Sequence, residues 1–409
     1  MQLLHGAVRS YAWGSRTALA RLQGRPIPSD HPEAEIWLGA HPADSAHVVH
    51  DGGTVPLLTL IDEDPAAQLG GSAQQYESRL PYLMKLLAAE EPLSLQAHPS
   101  SAQAREGFAR ENAAGVPIDS PVRNYRDPNH KPELIVALGE FEALAGFRNP
   151  AETVELLDAL AVSALGGYRT LLAEQPDASG LRTVFTSWIT LPGQALDDIL
   201  PAVAQGCIDY LSGPARTDGG RFAAEAKTLL ELGESYPGDA GVLAALLLNR
   251  VTLAPGQGLY LDAGNLHAYL RGTGVEIMAN SDNVLRGGLT PKHVDVPELL
   301  RVLDFEPADL RPITPGDRDR PTYRYSTPAP EFALSRTAVA AGETITVSGS
   351  GPRILLCTSG TVTTGTSDQQ AGLTVAQGSS VWIPAADENI TVTAGSVEAE
   401  VFVASVGNV

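Results

Sequence analysis

Two stretches of this chain, each of twelve residues, follow one pattern, and that repetition constrains the fold more than any other feature. "GQGLYLDAGNLH" (256–267) runs Gly, five residues, Asp-Ala-Gly, two residues, His. "GSSVWIPAADEN" (378–389) runs Gly, five residues, Pro-Ala-Ala, two residues, Asn. Each stretch indicates a strand, a tight turn and the start of a second strand. The sequence therefore predicts two related β-units, with two unrelated glycine-containing hairpins as the alternative.

The spacing of these stretches resembles the second sequence motif of cupin barrels, in which a tight turn presents a metal-binding histidine at the barrel mouth. His267 holds the ligand position in the first copy, and Asn389 holds it in the second. The resemblance implies two jelly-roll barrels, of which the N-terminal one binds metal and the C-terminal one is degenerate. One departure is Asp262, which stands where cupins generally have proline before the ligand turn.

The rest of the chain alternates between β-rich and helical texture. Short strands with frequent turns are predicted before residue 149, among them "PLLTLI" (56–61). Apolar residues at helical spacing begin after Asn149, a predicted N-cap, and continue to about residue 250. "PTYRYSTPAPEF" (321–332) resembles a linker.

We therefore predict a mainly β fold with a helical insertion and cupin jelly-roll barrels. The predicted parts are a catalytic domain over 1–148 and 250–320, an insertion over 149–249, and a C-terminal jelly roll over 321–409.

Composition excludes several classes of partner. The 409 residues include 28 Lys and Arg against 48 Asp and Glu, a net charge of −20, so nucleic acid and anionic membranes are poor partners. No apolar run approaches membrane-spanning length, and the N-terminus lacks a signal pattern. Two distant cysteines suggest no disulfide framework. We expect a cytoplasmic protein.

Two predicted strands carry polar side chains on one face. In "PLSLQAHPSS" (92–101), alternation places Ser94, Gln96 and His98 in one direction and apolar residues in the other. In "NHKPELIVAL" (129–138), Lys131 and Glu133 share a face in the same way. Such faces are either exposed to solvent or line a polar site.

Four of these polar residues make a metal site if their strands converge. Two imidazoles, a carboxylate and an amide favour a hard-to-borderline metal, with zinc the leading candidate. Any one histidine alone is more typical of a structural residue, and a lone glutamate of the surface. The joint pattern favours the site, whose ligands are Gln96, His98, Glu133 and His267.

Cations cluster around the same segments. Lys85 lies inside the apolar run "PYLMKLLAA", where burial of an unpaired ammonium would be costly, so it is predicted to face a polar cavity. Arg286 and Lys292 stand beside a Gly-Gly pair in a loop that also carries Glu276 and Asp282. In so acidic a chain this favours an anion-binding loop. An ordinary irregular loop with solvated charges is the alternative.

Several motifs, taken in order, resemble the signatures of type I mannose-6-phosphate isomerases. The resemblance spans most of residues 1–300 and implies a zinc-dependent cupin enzyme that interconverts mannose 6-phosphate and fructose 6-phosphate. The motifs are "YAWGS", "EIWLGAHP", "PLSLQAHP", "HKPELIVAL", "GNLHAYL" and "SDNVLRGGLTPKHVD".

The resemblance implies one zinc ion on the four ligands named above. It also implies an active site that includes Trp13, Glu35, Ser94, Lys131, Tyr269, Glu276, Asp282, Arg286 and Lys292, beside which we expect Lys85.

Isomerisation needs a base near the first two carbons and stabilisation of a developing oxyanion. We expect Glu276 as the carbon base, Lys131 assisting the oxygens, Arg286 at the oxyanion, and Ser94 and Lys292 at the phosphate.

Two alternatives share the fold. An isomerase of a non-phosphorylated aldose would not need Lys292 and Ser94, and a sugar-binding cupin without catalysis would not need Lys131 and Glu276. The expected partner is a phosphorylated hexose. A monomer is expected, with weak homo-oligomerisation as the alternative.

Overall fold

A computed structural model describes residues 1–50, 52–213, 220–315, 322–366 and 372–407. Its strands pair antiparallel throughout these ranges and form three sheets. The prediction of a mainly β fold with a helical insertion is confirmed. The sheets are open, because each strand order runs from one edge strand to another and does not close into a barrel.

The ten-stranded sheet carries most of the polar residues singled out above. Its strands are Ala7–Arg9 (β2), Glu35–Leu38 (β3), Tyr82–Ala89 (β6), Leu95–Ala97 (β7), Glu133–Ala137 (β8), Phe141–Phe147 (β9), Leu248–Leu253 (β10), Gly258–Leu261 (β11), His267–Ala279 (β12) and Leu285–Gly288 (β13).

The eight-stranded sheet joins the two ends of the chain. Strand Gln2–His5 pairs with strand Ser380–Ile383, so N-terminal and C-terminal residues lie in the same sheet. Its strands are Gln2–His5 (β1), His47–His50 (β4), Gly53–Pro56 (β5), Thr322–Tyr325 (β14), Ala333–Val339 (β15), Arg353–Ser359 (β17), Ser380–Ile383 (β20) and Ala399–Ser405 (β22). The four-stranded sheet contains Thr344–Ser348 (β16), Thr361–Thr366 (β18), Leu373–Ala376 (β19) and Asn389–Ala394 (β21).

Half of the described α-helices, six of twelve, connect β9 to its antiparallel neighbour β10. This group packs on the ten-stranded sheet through a buried cluster that includes Phe147, Phe185 and Trp188. The helices are Ala18–Leu22 (α1), Leu57–Glu63 (α2), Pro65–Leu69 (α3), Ser72–Gln75 (α4), Ser101–Ala113 (α5), Pro150–Leu160 (α6), Gly166–Glu174 (α7), Ala178–Ile189 (α8), Gly193–Ser212 (α9), Ala223–Ser235 (α10), Gly241–Ala245 (α11) and Val296–Val302 (α12), with a 3₁₀ turn at Ser163–Leu165.

Two local predictions were wrong. "PLLTLI" forms helix α2, because Leu57, Leu60 and Ile61 are buried at the i, i+3, i+4 spacing of a helix face. Residues 322–325 of the predicted linker form strand β14, which pairs with β15. The predicted boundary at residues 320 and 321 lies outside the described residues, and the division into domains stays a prediction.

Alternation along the central strands separates core from site. On β6, Tyr82, Met84 and Leu86 pack towards the eight-stranded sheet, and Lys85 points the other way. On β8, Leu134 and Val136 face that same core, which turns Glu133 to the opposite face. The face away from the eight-stranded sheet is therefore where charged side chains gather. Within the described residues, no helix is long and apolar enough to cross a membrane.

Candidate active site

Three predicted ligands converge on one buried point. His98 Nε2 lies 3.2 Å from Glu133 Oε1, and His267 Nε2 lies 3.4 Å from Glu133 Oε2. The three ligand atoms lie within 4.8 Å of one another. Within the described ranges, these residues form the cluster of His, Cys, Asp or Glu side chains that could hold a metal ion. All three side chains are buried.

The donor set fits a metal ion. His98 Nε2 is buried, yet it has no hydrogen-bond partner among the described residues, even though Glu133 is close. Backbone carbonyls accept at the other nitrogen of each ring: Asn283 O is 2.8 Å from His98 Nδ1, and Asn265 O is 3.0 Å from His267 Nδ1. Each Nδ1 then carries the proton, and each Nε2 has a free lone pair for a metal.

Cross-strand register brings the fourth predicted ligand beside this group. Gln96 on β7 stands opposite His267 on β12 and opposite Arg286 on β13. Directly opposed residues of antiparallel strands share a face, so these three side chains form one row across three strands. Lys131, just before β8, completes the cluster with its Nζ 3.3 Å from Glu133 Oε1.

Charge fixes the protonation of the metal group. Burial alone would raise the pKa of Glu133, but its polar neighbours, among them the Lys131 ammonium 3.3 Å away, hold the pKa of this carboxyl well below its usual value. Burial lowers the pKa of His98. Both residues are therefore in the deprotonated form that a metal requires.

A second row of side chains lies beside the metal group. Trp37, Lys85 and Glu276 stand opposite one another across β3, β6 and β12. Lys85 Nζ lies 3.3 Å from Glu35 Oε1 and 3.2 Å from Glu276 Oε2, and Tyr269 donates its hydroxyl to Glu276 Oε1 at 2.9 Å. The prediction that Lys85 faces a polar cavity agrees with this position.

Burial governs the pKa values in this second row. Burial would lower the pKa of Lys85, but Glu35 and Glu276 reverse that effect and raise it, so the ammonium stays charged. Burial raises the pKa of Glu276, and Lys85 offsets only part of the increase. Glu276 is thus a stronger base than an ordinary carboxylate.

These groups line two connected spaces. A recess of about 70 Å³ is bounded by Gln96, Lys131, Glu133, His267 and Glu276, together with Glu35, Lys85 and Tyr269. It adjoins a cavity of about 610 Å³, large enough for a hexose phosphate, with Gln96 and Lys131 in the walls of both. The larger cavity is also lined by Trp13, Ser94, Asp282, Arg286 and Lys292. The structure thus brings every predicted site residue to one of the two spaces except His98, which lies behind Glu133.

Comparison with known proteins identifies the family. Residues 1–150 match the family model for the catalytic domain of type I phosphomannose isomerase. Mannose-6-phosphate isomerase of Escherichia coli K12 is 40% identical over 400 residues, which cover 96% of this chain and 97% of the relative. The human mannose-6-phosphate isomerase is 32% identical over 403 residues, covering 93% and 92%. This chain belongs to the type I mannose-6-phosphate isomerase family.

Solved structures of mannose 6-phosphate isomerases share the fold over the full chain. A zinc-bound holo structure superimposes with a TM-score of 0.87 at 36% identity, covering 100% of this chain and 99% of that one. The Salmonella typhimurium enzyme bound to fructose 6-phosphate and zinc superimposes with a TM-score of 0.88 at 36% identity, covering 100% of both.

One basic residue of the large cavity was not predicted from the sequence. Arg126 lines the large cavity together with Arg286 and Lys292, and none of the three forms a salt bridge within the described residues. Burial lowers the pKa of Arg286 and of Lys292, and Arg126 lowers both further. Mutual repulsion, with no carboxylate of the described chain within salt-bridge distance, indicates a site for an anion. The signal that could have revealed Arg126 is "RNYRDPNHK", the basic segment just before Lys131.

The residues that orient the site were also missed. Asn265 and Asn283 act through backbone carbonyls, and a main-chain contact leaves no trace in residue type. His41 is buried, accepts the Ala43 N–H at Nδ1, and places Nε2 3.3 Å from Asp282 Oδ1. Its position inside the motif "EIWLGAHP" was the available signal.

Proposed function

We propose that this chain interconverts mannose 6-phosphate and fructose 6-phosphate, with one zinc ion held by Gln96, His98, Glu133 and His267. One observation carries the proposal: a buried imidazole nitrogen of His98, which has no hydrogen-bond partner among the described residues, lies in a ligand cluster beside a cation-lined cavity. Zinc-bound relatives of the same fold support the metal. Zinc when bound supplies a Lewis acid that stabilises negative charge developing on a substrate oxygen.

The cavity orients the sugar from its phosphate end. Arg126 and Lys292 are the proposed phosphate ligands, with the Ser94 hydroxyl as a further donor. Binding energy from this unreacting group holds the first two carbons at the recess, where the metal ligands lie. Lys131 and Arg286 then face the substrate oxygens, where their charges favour the enediolate over the starting sugar.

Glu276 is the proposed carbon base. It bounds the same recess as Gln96 and Lys131, and burial raises its pKa. Tyr269 and Lys85 each contact one of its two oxygens, and each oxygen keeps a second lone pair that can take the proton. Asp282 is the competing carboxylate, since it lines the large cavity with a side chain 43% exposed, but His41 helps hold its pKa low.

A substrate comparison tests this function. Zinc-loaded protein should convert mannose 6-phosphate in a coupled assay and leave free mannose essentially unchanged. Comparable turnover of free mannose would favour an isomerase of a non-phosphorylated aldose. Sugar binding without turnover would favour a non-catalytic cupin.

Substitution of two lysines, one in the large cavity and one on an exposed helix surface, tests the phosphate site. Lys292→Ala should raise KM for mannose 6-phosphate with little change in kcat, because the phosphate does not react. Lys227→Ala, an exposed lysine on α10 in the helical group, is the control and should change neither constant. A fall in kcat at constant KM would place Lys292 with the chemistry instead.

We further propose that the protein works as a monomer in the cytoplasm. Every predicted site residue is supplied by the same chain, so the proposed reaction needs no residue from a second copy. Light scattering behind size-exclusion chromatography tests this, and activity that appears only in an oligomeric fraction would contradict it.

A further inference from the structure

Asn283 lies between the two halves of the site, and its side chain takes no part in the roles assigned so far. Its side chain is fully buried. We propose that Asn283 is a positioning residue, which holds the metal ligand His98 and the substrate-binding Arg126 in a fixed relation. The inference rests on the proposed function, because it assigns Asn283 through the roles of those two residues.

The amide of Asn283 uses all of its hydrogen-bonding capacity on one loop. Oδ1 accepts the backbone N–H of Arg126 at 2.7 Å and that of Asp127 at 3.3 Å. Nδ2 donates to the carbonyls of Asp127 at 2.7 Å and Asn129 at 2.9 Å. A carboxylate could accept but not donate, and an apolar side chain could do neither, so only an amide satisfies all four main-chain groups.

The loop also binds the segment that carries Asn283, through the side chain of Asp127. Asp127 Oδ1 accepts the Ser281 hydroxyl at 2.8 Å, and Asp127 Oδ2 accepts the backbone N–H of Asp282 at 2.8 Å. We call Asp127, Ser281 and Asn283 the clasp. The loop and the segment that carries Asn283 thus each bind the backbone of the other through side chains, so a shift of either segment alone would break these bonds.

The clasp connects the metal to the substrate cavity. The Asn283 carbonyl accepts from Nδ1 of His98, so the position of this backbone sets the orientation of a metal-binding ring. At the other side, the clasped loop begins at Arg126 in the large cavity and leads directly to Lys131 and Glu133. Displacement of the loop would change the metal ligands and the phosphate cation together.

Asn283→Ala tests the proposal with two readouts on purified full-length protein. Zinc affinity, measured by competition with a chromogenic chelator, should fall about tenfold, within the range seen when a group orienting a metal ligand is lost. KM for mannose 6-phosphate, measured at saturating zinc, should rise about tenfold. Asn280→Ala is the matched control, because the Asn280 side chain donates to the Leu80 carbonyl and to no other group in the described part of the chain. This variant should leave both values within twofold.

A double-mutant cycle shows whether Asn283 acts through Arg126. In an Arg126→Ala background, Asn283→Ala should raise KM little further, because the group it positions is already absent. An equal additional rise would overturn that link. If Arg126→Ala alone leaves KM unchanged, the phosphate role in the proposed function fails, and the zinc affinity of Asn283→Ala alone then decides the inference.

A merely structural asparagine would behave differently. Its loss would lower the melting temperature and leave zinc affinity and KM within twofold in the folded fraction, a result that overturns the proposal. If Asn283→Ala does not fold, Ser281→Ala takes its place, because it removes the hydroxyl that donates to Asp127 Oδ1 and the Asn129 carbonyl and accepts the Asn283 N–H. Weaker zinc binding together with a higher KM in Ser281→Ala supports the proposal, and no change in either value rejects it.

Discussion

Two carboxylates of the site differ sharply at the scale of the residue. Glu276 lies between Lys85 and Tyr269, and burial raises its pKa. Asp282 is exposed to the cavity, and His41 helps hold its pKa low. A base must both reach the carbon-bound proton and hold it. Glu276 is better suited to hold the proton because its pKa is raised, whereas Asp282 is more accessible from the cavity. Substitution of each residue distinguishes the two.

Glu276→Gln should lower turnover by roughly 10²- to 10⁴-fold, the range typical of a lost general base. Glutamine keeps the shape of the side chain, so zinc content and substrate affinity should be retained. Exchange of the substrate C2 proton with solvent deuterium should slow in parallel. Asp282→Asn is the matched variant, and if it abolishes exchange while Glu276→Gln does not, Asp282 is the base.

Lys85→Met should destabilise the fold rather than only the reaction. It leaves Glu35 and Glu276 as buried carboxylates without their cation, and breaking a buried ion pair costs about 3–5 kcal/mol. In the variant the pKa of Glu276 should rise further, so the folded state binds more protons than the unfolded state. The loss of stability should therefore be smaller at acid pH than at neutral pH.

Urea unfolding at several pH values checks this prediction. Lys227→Met, at an exposed helix position, is the control and should stay within about 0.5 kcal/mol of the parent. A loss in Lys85→Met that stays constant between acid and neutral pH would mean that the carboxylates do not depend on this cation.

At the scale of the element, the two glycine-turn stretches have the same local structure and different surroundings. Gly256 and Gly378 both have positive φ, at 84° and 76°. His267 begins β12 and Asn389 begins β21, so the corresponding residues hold corresponding positions. His267 is buried among the other ligands, whereas Asn389 is exposed.

The paired substitutions at these positions should give opposite results. His267→Ala should lose zinc and activity together, because the metal group then keeps one imidazole. Asn389→Ala should leave both near the parental values. Metal analysis with a coupled assay tests the pair, and zinc loss in Asn389→Ala would show that the second copy also binds metal.

The sequence predicted the site better than it predicted the pairing of elements. Alternation placed Lys131 and Glu133 on one polar face, since a strand has a fixed period of two. The cost of burying an unpaired ammonium predicted that Lys85 faces a polar cavity. Alternation could not show that β1 pairs with β20, because such a contact joins residues far apart in the chain. The short run "PLLTLI" was assigned to a strand for a related reason, since a brief apolar run fits a helix or a strand.

At the scale of the whole molecule, the metal joins strands that are distant in sequence. Its proposed ligands lie on or beside β7, β8 and β12, and the helical group is inserted between Glu133 and His267. Zinc bound here would hold the ten-stranded sheet together on the face opposite the eight-stranded sheet. Because the unfolded chain cannot assemble these ligands, zinc should contribute directly to the free energy of unfolding.

Zinc-buffered unfolding measures that contribution. In the saturating range, each tenfold increase in free zinc should raise the free energy of unfolding by about 1.4 kcal/mol, the increment for one ion bound only by the folded state. A slope of twice that value would reveal a second ion.

His98→Ala should reduce the slope to near zero, because it removes the imidazole whose Nε2 has no other partner within the described chain. Asn389→Ala should keep the parental slope. If the parent itself shows no dependence on zinc, the four residues do not form a metal site, and the oxyanion would have to rely on Lys131 and Arg286 alone.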